Sequence, residues 1–355
     1  MHRNNIGSLR LIGAFLVLFG HGYTLSGGHG MRDPISEWLV SYSPFHQGLP
    51  GLGVALFFIV SGYLVTASFV RRGKLIDYAV ARVLRIYPAL IVAILFCVLF
   101  VGLLVTTLPA MSYLSHHETI LFTLQNSSLL GIHHTLPGVF ADLPWKNTVN
   151  GSLWTLPFEL LMYLSVACVG ACGLFRSRVL FNAFAIIAIL FFAFGSKFLP
   201  FLNHPAHVYP ALAFLFGSLF FVNRDDVKPN AFGFVILLAV SAISFNTTAY
   251  NTVSLFCFAY FILAIGLSER SLLPAFDKHG DFSYGLYLYA FPLQQLSIYY
   301  FGGGNTWLIN TIAFGGAMTM AVVSWKFVES PCLLLKQPVS SRLVALFNRS
   351  KVELT

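Results

Sequence analysis

The sequence predicts an all-α polytopic membrane protein with about ten transmembrane helices and both termini in the cytoplasm. Three observations carry that expectation. The 355 residues are 57% hydrophobic and only 10% charged, with a mean hydropathy of +0.77, and the apolar residues gather in runs of about 20, the length a helix needs to cross a bilayer. The expected spans are 8 to 26, 51 to 70, 87 to 109, 152 to 174, 179 to 196, 207 to 222, 230 to 246, 250 to 267, 282 to 301 and 306 to 325. Basic residues then fall almost wholly on one set of connecting segments. With the N-terminus inside, the outer segments hold only Arg32, Lys146 and Lys197 of 21 lysines and arginines, which is the bias the positive-inside rule requires. The net charge of +8 is therefore topological, and no nucleic-acid partner is expected. The five cysteines mostly lie inside apolar runs and read as packing residues rather than a disulfide or metal framework.

Span one, LRLIGAFLVLFGHGYTL, is not expected to be a cleaved signal peptide, because no small-residue cleavage site follows it. It carries Arg10 and His21 eleven positions apart, which on a helix leaves them within about 20° of one face and about 16 Å apart along the axis. Ionisable residues are costly in hydrocarbon and usually mark a polar cavity or a site. Arg10 can also snorkel to the headgroups, and His21 can simply bond a neighbouring helix.

Two outer segments, 27 to 50 and 110 to 151, are long enough to form a partly ordered lid. They hold His29, His46, the pairs His116/His117 and His133/His134, Asp142, Trp145 and Asn150. Adjacent histidines fit one helix face poorly and no carboxylate cluster accompanies them, so no metal is expected.

Span two contains FFxxSG, formed by Phe57, Phe58, Ser61 and Gly62, whose small residues let a helix or a ligand chain approach closely. The basic turn after it leads to ARVLRIYPAL, with Arg82 and Arg85 three apart on one helical face. Paired guanidiniums at that spacing can hold a phosphate, and they equally satisfy the charge bias. Span four, NGSLWTLPFELLMYL, carries Trp154 near its outer boundary, a position typical of interfacial anchors. It also carries Glu159, with Tyr163 one turn along the same face. A buried carboxylate must find a partner or protonate, so Glu159 requires a donor or cation nearby. Spans five to eight are nearly featureless. Span nine, SYGLYLYAFPLQQL, presents a polar face of Ser283, Tyr287 and Gln294, and span ten ends in WKFVESP with Glu329 and Pro331. Residues 1 to 335 form the expected transmembrane domain, and 336 to 355 a short cytoplasmic tail.

These motifs, taken in order, resemble the acyltransferase-3 family of integral membrane acyltransferases: R-x10-H, FFxxSG, RxxR, W-x4-E-x3-Y, SYxxYL and the terminal ExP. The resemblance covers roughly residues 6 to 333. It implies a membrane O-acyltransferase of the bacterial inner membrane that moves an acyl group, most often acetyl, from acyl-coenzyme A to a hydroxyl acceptor. The acceptor class it implies is a surface polysaccharide, exopolysaccharide or lipid-linked precursor, with polysaccharide-assembly proteins and membrane lipids as partners. Carried over by residue, His21 resembles the essential histidine and Arg10 its partner, while Arg82 and Arg85 resemble the arginines associated with acetyl-coenzyme A.

On that resemblance His21 is expected to act as general base or transient acyl carrier, with Glu159 orienting it. Ser61 joins the donor site, and Trp154, Tyr163, Tyr287 and Gln294 contact substrate. Members often carry a histidine in span nine where this chain has Ala290, which isolates His21. No appended SGNH hydrolase-like domain is expected. A transporter or flippase is the rival reading, and the sequence lacks the internal repeat that reading favours.

Overall fold

A computed structural model describes residues 5 to 28, 30 to 42, 47 to 195, 205 to 276 and 278 to 352. His29, His46 and Lys197 lie outside the described residues. Among those described, the regular structure is entirely helical. The helices are α1 Ile6–Gly27, α2 Pro34–Tyr42, α3 Leu49–Arg72, α4 Leu75–Leu95, α5 Ala110–Leu114, α6 His117–Ser128, α7 Thr155–Ala171, α8 Arg178–Leu190, α9 Pro205–Val222, α10 Ala231–Ile243, α11 Tyr250–Gly266, α12 Ser283–Phe301, α13 Thr306–Ser324 and α14 Lys336–Val352.

A helix occupies each of the ten stretches expected to span. Among the described residues, five continuous runs are long and apolar enough to cross a membrane: Ile6–Gly27, Leu49–Arg72, Leu75–Val105, Gly151–Ala171 and Thr306–Leu346. Helices α8 to α11 are apolar but shorter. Helix α12 differs for another reason. It carries Gln294, Gln295 and several tyrosines, and apart from Leu293 every residue from Ser283 to Ile298 is buried. A helix enclosed by other helices meets protein rather than lipid, so its polar side chains can pair there.

Apolar burial gives little drive between helices inside a bilayer, so close packing and polar pairing must hold them together. Glycines supply the close packing. A Cβ on Gly62 would strike the backbone of Phe214, and one on Gly217 the backbone of Ile59, so α3 and α9 touch through paired glycines. The FFxxSG segment thus admits a helix at Gly62. Thr66 donates to Ser218 at 2.9 Å across the same contact. Gly13 and Gly53 bring α1 against α3 in the same way.

Polar pairing fixes the far half of α1. Gln294 on α12 donates to the Leu18 carbonyl at 2.7 Å and to Asn310 Oδ1 at 2.8 Å. Asn310 on α13 donates in turn to the Phe19 carbonyl at 3.1 Å. The near end of α1 is tied by Asn5, whose amide donates to the Ile265 and Arg270 carbonyls and accepts from the amides of Leu272 and Leu273.

The segment after α13 is not a separate appendage. The chain turns through Trp325–Glu329 and Ser330–Leu334 into α14, which lies along α4, where Ser340 donates to Asp77. The long segment 110 to 151 is likewise built. His116 caps α6 by accepting from the Glu118 amide, and Asn126 exchanges two hydrogen bonds with the His133 backbone.

Candidate active site

Two tyrosines set the helix that carries RxxR. Tyr78 on α4 donates to the Tyr163 carbonyl at 2.8 Å, and Tyr284 on α12 donates to the Ile86 carbonyl at 3.0 Å. Arg82 and Arg85, one turn apart on α4, thereby face the space between α1, α3, α7 and α12. That space is a cavity of about 310 Å³. Arg10, Ser61, Arg82, Arg85, Glu159, Tyr163 and Tyr287 line it, with Asp281, Tyr284, Trp325 and Lys336.

The two RxxR arginines have different surroundings. Arg85 is committed. It donates to Asp281 at 2.5 Å and to Glu329 at 3.3 Å, and Asp281 also pairs with Arg10. Burial alone would raise the Asp281 carboxyl, but the two guanidiniums outweigh it and hold that group below the usual carboxylate range. Arg10, Asp281, Arg85 and Glu329 thus form one network of paired side chains. Arg85 stands in the cavity wall with its guanidinium already paired with two carboxylates, so it has less charge to share with a ligand than Arg82.

Arg82 is available. It lies over the Tyr163 ring at 5.4 Å and the Tyr78 ring at 5.9 Å, and among the described residues it forms no salt bridge and keeps a buried Nε without a hydrogen-bond partner. A buried guanidinium donor left unpaired is costly. A ligand oxygen would relieve it.

Glu159 found the donor that its burial demanded. Tyr163, one turn along α7, donates to it. That places Glu159 with Tyr163 and Arg82 at the arginine end, so the expected pairing with His21 does not form. The physical reason is depth: Glu159 lies one turn from Thr155, which meets Tyr287 in the cavity wall, while His21 stands at the other end of α1.

His21 does not line the cavity. Its ring packs edge-on against Phe291, with centroids 5.6 Å apart. A Cβ on Gly53 would touch Val17, and one on Gly20 would touch Pro50, so Val54 at the inner end of the cavity stands level with about residue 16 of α1. His21 lies roughly 8 Å further along the axis. Arg10 and His21 do share one helix, but the structure puts only Arg10 in the cavity wall.

The remaining expected substrate contacts divide. Tyr287 is in the wall, its hydroxyl donating to the Ser152 carbonyl at 2.8 Å and meeting Thr155 at 2.7 Å. Gln294 is fully buried and outside the cavity wall; its amide nitrogen donates to Leu18 and Asn310 and holds the turn before His21, while its Oε1 has no hydrogen-bond partner among the described residues. Trp154 lies outside the cavity, packed edge-on against Phe158 at 5.9 Å. Ala290 is enclosed in packing. In the histidine-rich segment His133 pairs with Glu118 at 2.5 Å, a carboxylate partner that the sequence pattern did not reveal. That hydrogen bond holds Glu118 below its ordinary value. No cluster of three metal-ligating side chains occurs among the described residues.

Asp281 is one of the cavity residues that sequence reasoning missed, with Tyr284, Trp325 and Lys336. Two arginines facing one interior need counter-charges, and an aspartate immediately before the SYxxYL helix was the available signal.

Residues 3–326 match the Acyltransferase domain that defines the acyltransferase-3 family. The chain belongs to that family. Among curated proteins it is 28% identical over 359 residues to an O-acetyl transferase of Shigella phage Sf6, covering 95% of this chain and 98% of that one. It is 26% identical over 374 residues to Nodulation protein 10 of Rhizobium leguminosarum bv. viciae, covering 97% of each. No solved structure matches. The protein is an integral membrane acyltransferase, and its cavity is the candidate active site.

Proposed function

We propose that this acyltransferase moves acetyl from acetyl-coenzyme A to a hydroxyl of a carbohydrate, a surface polysaccharide, exopolysaccharide or lipid-linked precursor, in the bacterial inner membrane. In this reading the chain crosses about ten times, the arginine end of the bundle faces the cytoplasm, and the donor enters there. The observation that carries the reading is one cavity in which Arg82, whose buried Nε has no hydrogen-bond partner among the described residues, stands beside Arg10 of α1 and an apolar wall. The name of the phage relative favours acetyl as the group transferred.

The residues present fit the donor. A buried, unpaired Arg82 Nε and a neighbouring lysine suit its phosphates, and Val54, Phe57, Phe58 and Leu156 suit its less polar arm. The cavity is at the small end of the range for small-molecule sites, so the nucleotide end of the donor stays at the mouth. When bound, the donor supplies an activated acyl carbonyl. His21 takes the proton that the acceptor hydroxyl loses as the ester bond forms, and releases it to the sulfur as the thioester bond breaks. Arg10, held by Asp281, lines the donor's path. Gln294 and Asn310 hold the helical turn that aims His21.

Purified protein supplied with radiolabelled acetyl-coenzyme A and candidate glycans tests this directly. Labelled glycan is the expected result. Glycan movement across a vesicle without label would replace the reading with a transporter.

A further inference from the structure

The charges at the cavity mouth do not balance on the family's own motif. Arg85 and Arg10 are paired with Asp281, and Arg85 with Glu329 as well, which leaves Arg82 as the member of RxxR without a carboxylate partner among the described residues. The chain places two more cations beside it. Ser68 on α3 accepts from Arg72 at 3.2 Å and from Arg82 at 3.5 Å, so these guanidiniums share one hydroxyl. Lys336, the first residue of α14, lines the same cavity and lies close enough to Arg72 and Arg82 to feel both charges. Arg72, Arg82 and Lys336 form no salt bridge among the described residues. Asp77, the nearest acidic residue in sequence to Arg82, accepts from Ser340 and forms no salt bridge among the described residues.

Three mutually repelling cations gathered at the mouth of a cavity are destabilising alone and favourable once a polyanion is bound. A lysine needed only for topology would gain nothing by lining a cavity. The N-terminus of a 17-residue helix adds partial positive charge at Lys336 itself.

We infer that α14, which lies beyond the residues matched by the family, completes the donor site: Lys336 joins Arg82 and Arg72 in binding the phosphate groups of coenzyme A. The Ser340 bond to Asp77 holds the helix on α4 so that Lys336 stays at the mouth. The inference rests on the acyl-coenzyme A reading above and deepens it.

Equilibrium binding of coenzyme A, and of pantetheine, which lacks the phosphates, is measured on the full chain in neutral phosphatidylcholine nanodiscs. Wild type is compared with Lys336→Ala, Lys336→Met, which keeps the apolar stem, and Lys336→Arg. Coenzyme A affinity is expected to fall about tenfold in Lys336→Ala and Lys336→Met, corresponding to about 1.4 kcal/mol, and to return in Lys336→Arg. Pantetheine affinity is expected to stay level throughout. Equal coenzyme A affinity in wild type and Lys336→Met would overturn the inference, as would a matching loss with pantetheine. A loss seen only in nanodiscs containing phosphatidylglycerol would assign Lys336 to a lipid headgroup and also overturn it. Wild type that binds coenzyme A while Lys336→Met is unaffected leaves the donor reading intact, whereas wild type that binds none removes both.

Discussion

Asp281→Asn removes the charge shared by Arg10 and Arg85 while keeping an acceptor for Ser283, which donates to the other carboxylate oxygen at 2.6 Å. Asp281 and Arg85 are 21% and 15% exposed at the side chain, so the pair sits in a medium far less polar than water. Breaking a buried pair by removing one partner costs about 3–5 kcal/mol, because the other charge is left uncompensated. Here Glu329 still faces Arg85 at 3.3 Å and some solvent reaches the pair. The lower end, about 3 kcal/mol, is therefore expected. Unfolding in mixed detergent micelles measures it, and a double-mutant cycle with Arg10→Met isolates the shared term. The double variant should be less destabilised than the sum of the singles by 1 kcal/mol or more, on the order seen for residues of one network. Additivity within about 0.5 kcal/mol would refute the network and return Arg10 to the headgroup region.

Gly62→Val should destabilise by about 3 kcal/mol, since the new side chain meets the Phe214 backbone and not a flexible side chain; a wild-type unfolding curve would show that α3 and α9 do not touch there. Asn310→Leu should cost only about 1 kcal/mol of stability, as interhelical hydrogen bonds do, yet lower kcat by up to about a hundredfold through a displaced His21. Donor KM should hold, and a change confined to KM would contradict that positioning role. Burial lowers the His134 imidazole, so its neutral form is the folded one. A group whose folded value lies below its unfolded value contributes stability that is complete above about pH 6.5 and is lost as pH falls below it. The protection of amides in residues 129 to 150, taken relative to their intrinsic exchange rates at each pH, should therefore fall between pH 7 and pH 5, and His134→Gln should flatten that dependence; an unchanged slope in the variant would locate the effect elsewhere.

Local chemistry was legible in the sequence where it depends on spacing along one helix. Tyr163 meets Glu159 because four residues make about one turn. Gly62 admits a neighbouring backbone because it lacks a Cβ. Arg82 and Arg85 share a cavity because three residues keep them on one face. Choosing among long-range partners was beyond such spacing. Asp281 finds Arg10 across 271 positions and Arg85 across 196, and nothing in periodicity distinguishes that aspartate from Glu159 as a counter-charge. Gln294 read as a polar face toward substrate, but polarity on a helix enclosed by helices serves the neighbouring backbone equally well. Lys336 stood in a tail set aside by composition. Its place in the cavity wall follows from the turn at Trp325–Glu329 that lays α14 along α4.

The central claim is that acyl transfer passes through His21, at the end of α1 away from the arginines. Turnover of labelled acetyl-coenzyme A onto a glycan acceptor by purified His21→Ala, with coenzyme A affinity measured on the same sample, tests it most directly. Donor binding is expected to equal wild type, because His21 lies outside the cavity wall, while transfer is expected to fall by at least about a hundredfold, the scale of general base catalysis. Transfer at the wild-type rate would contradict it.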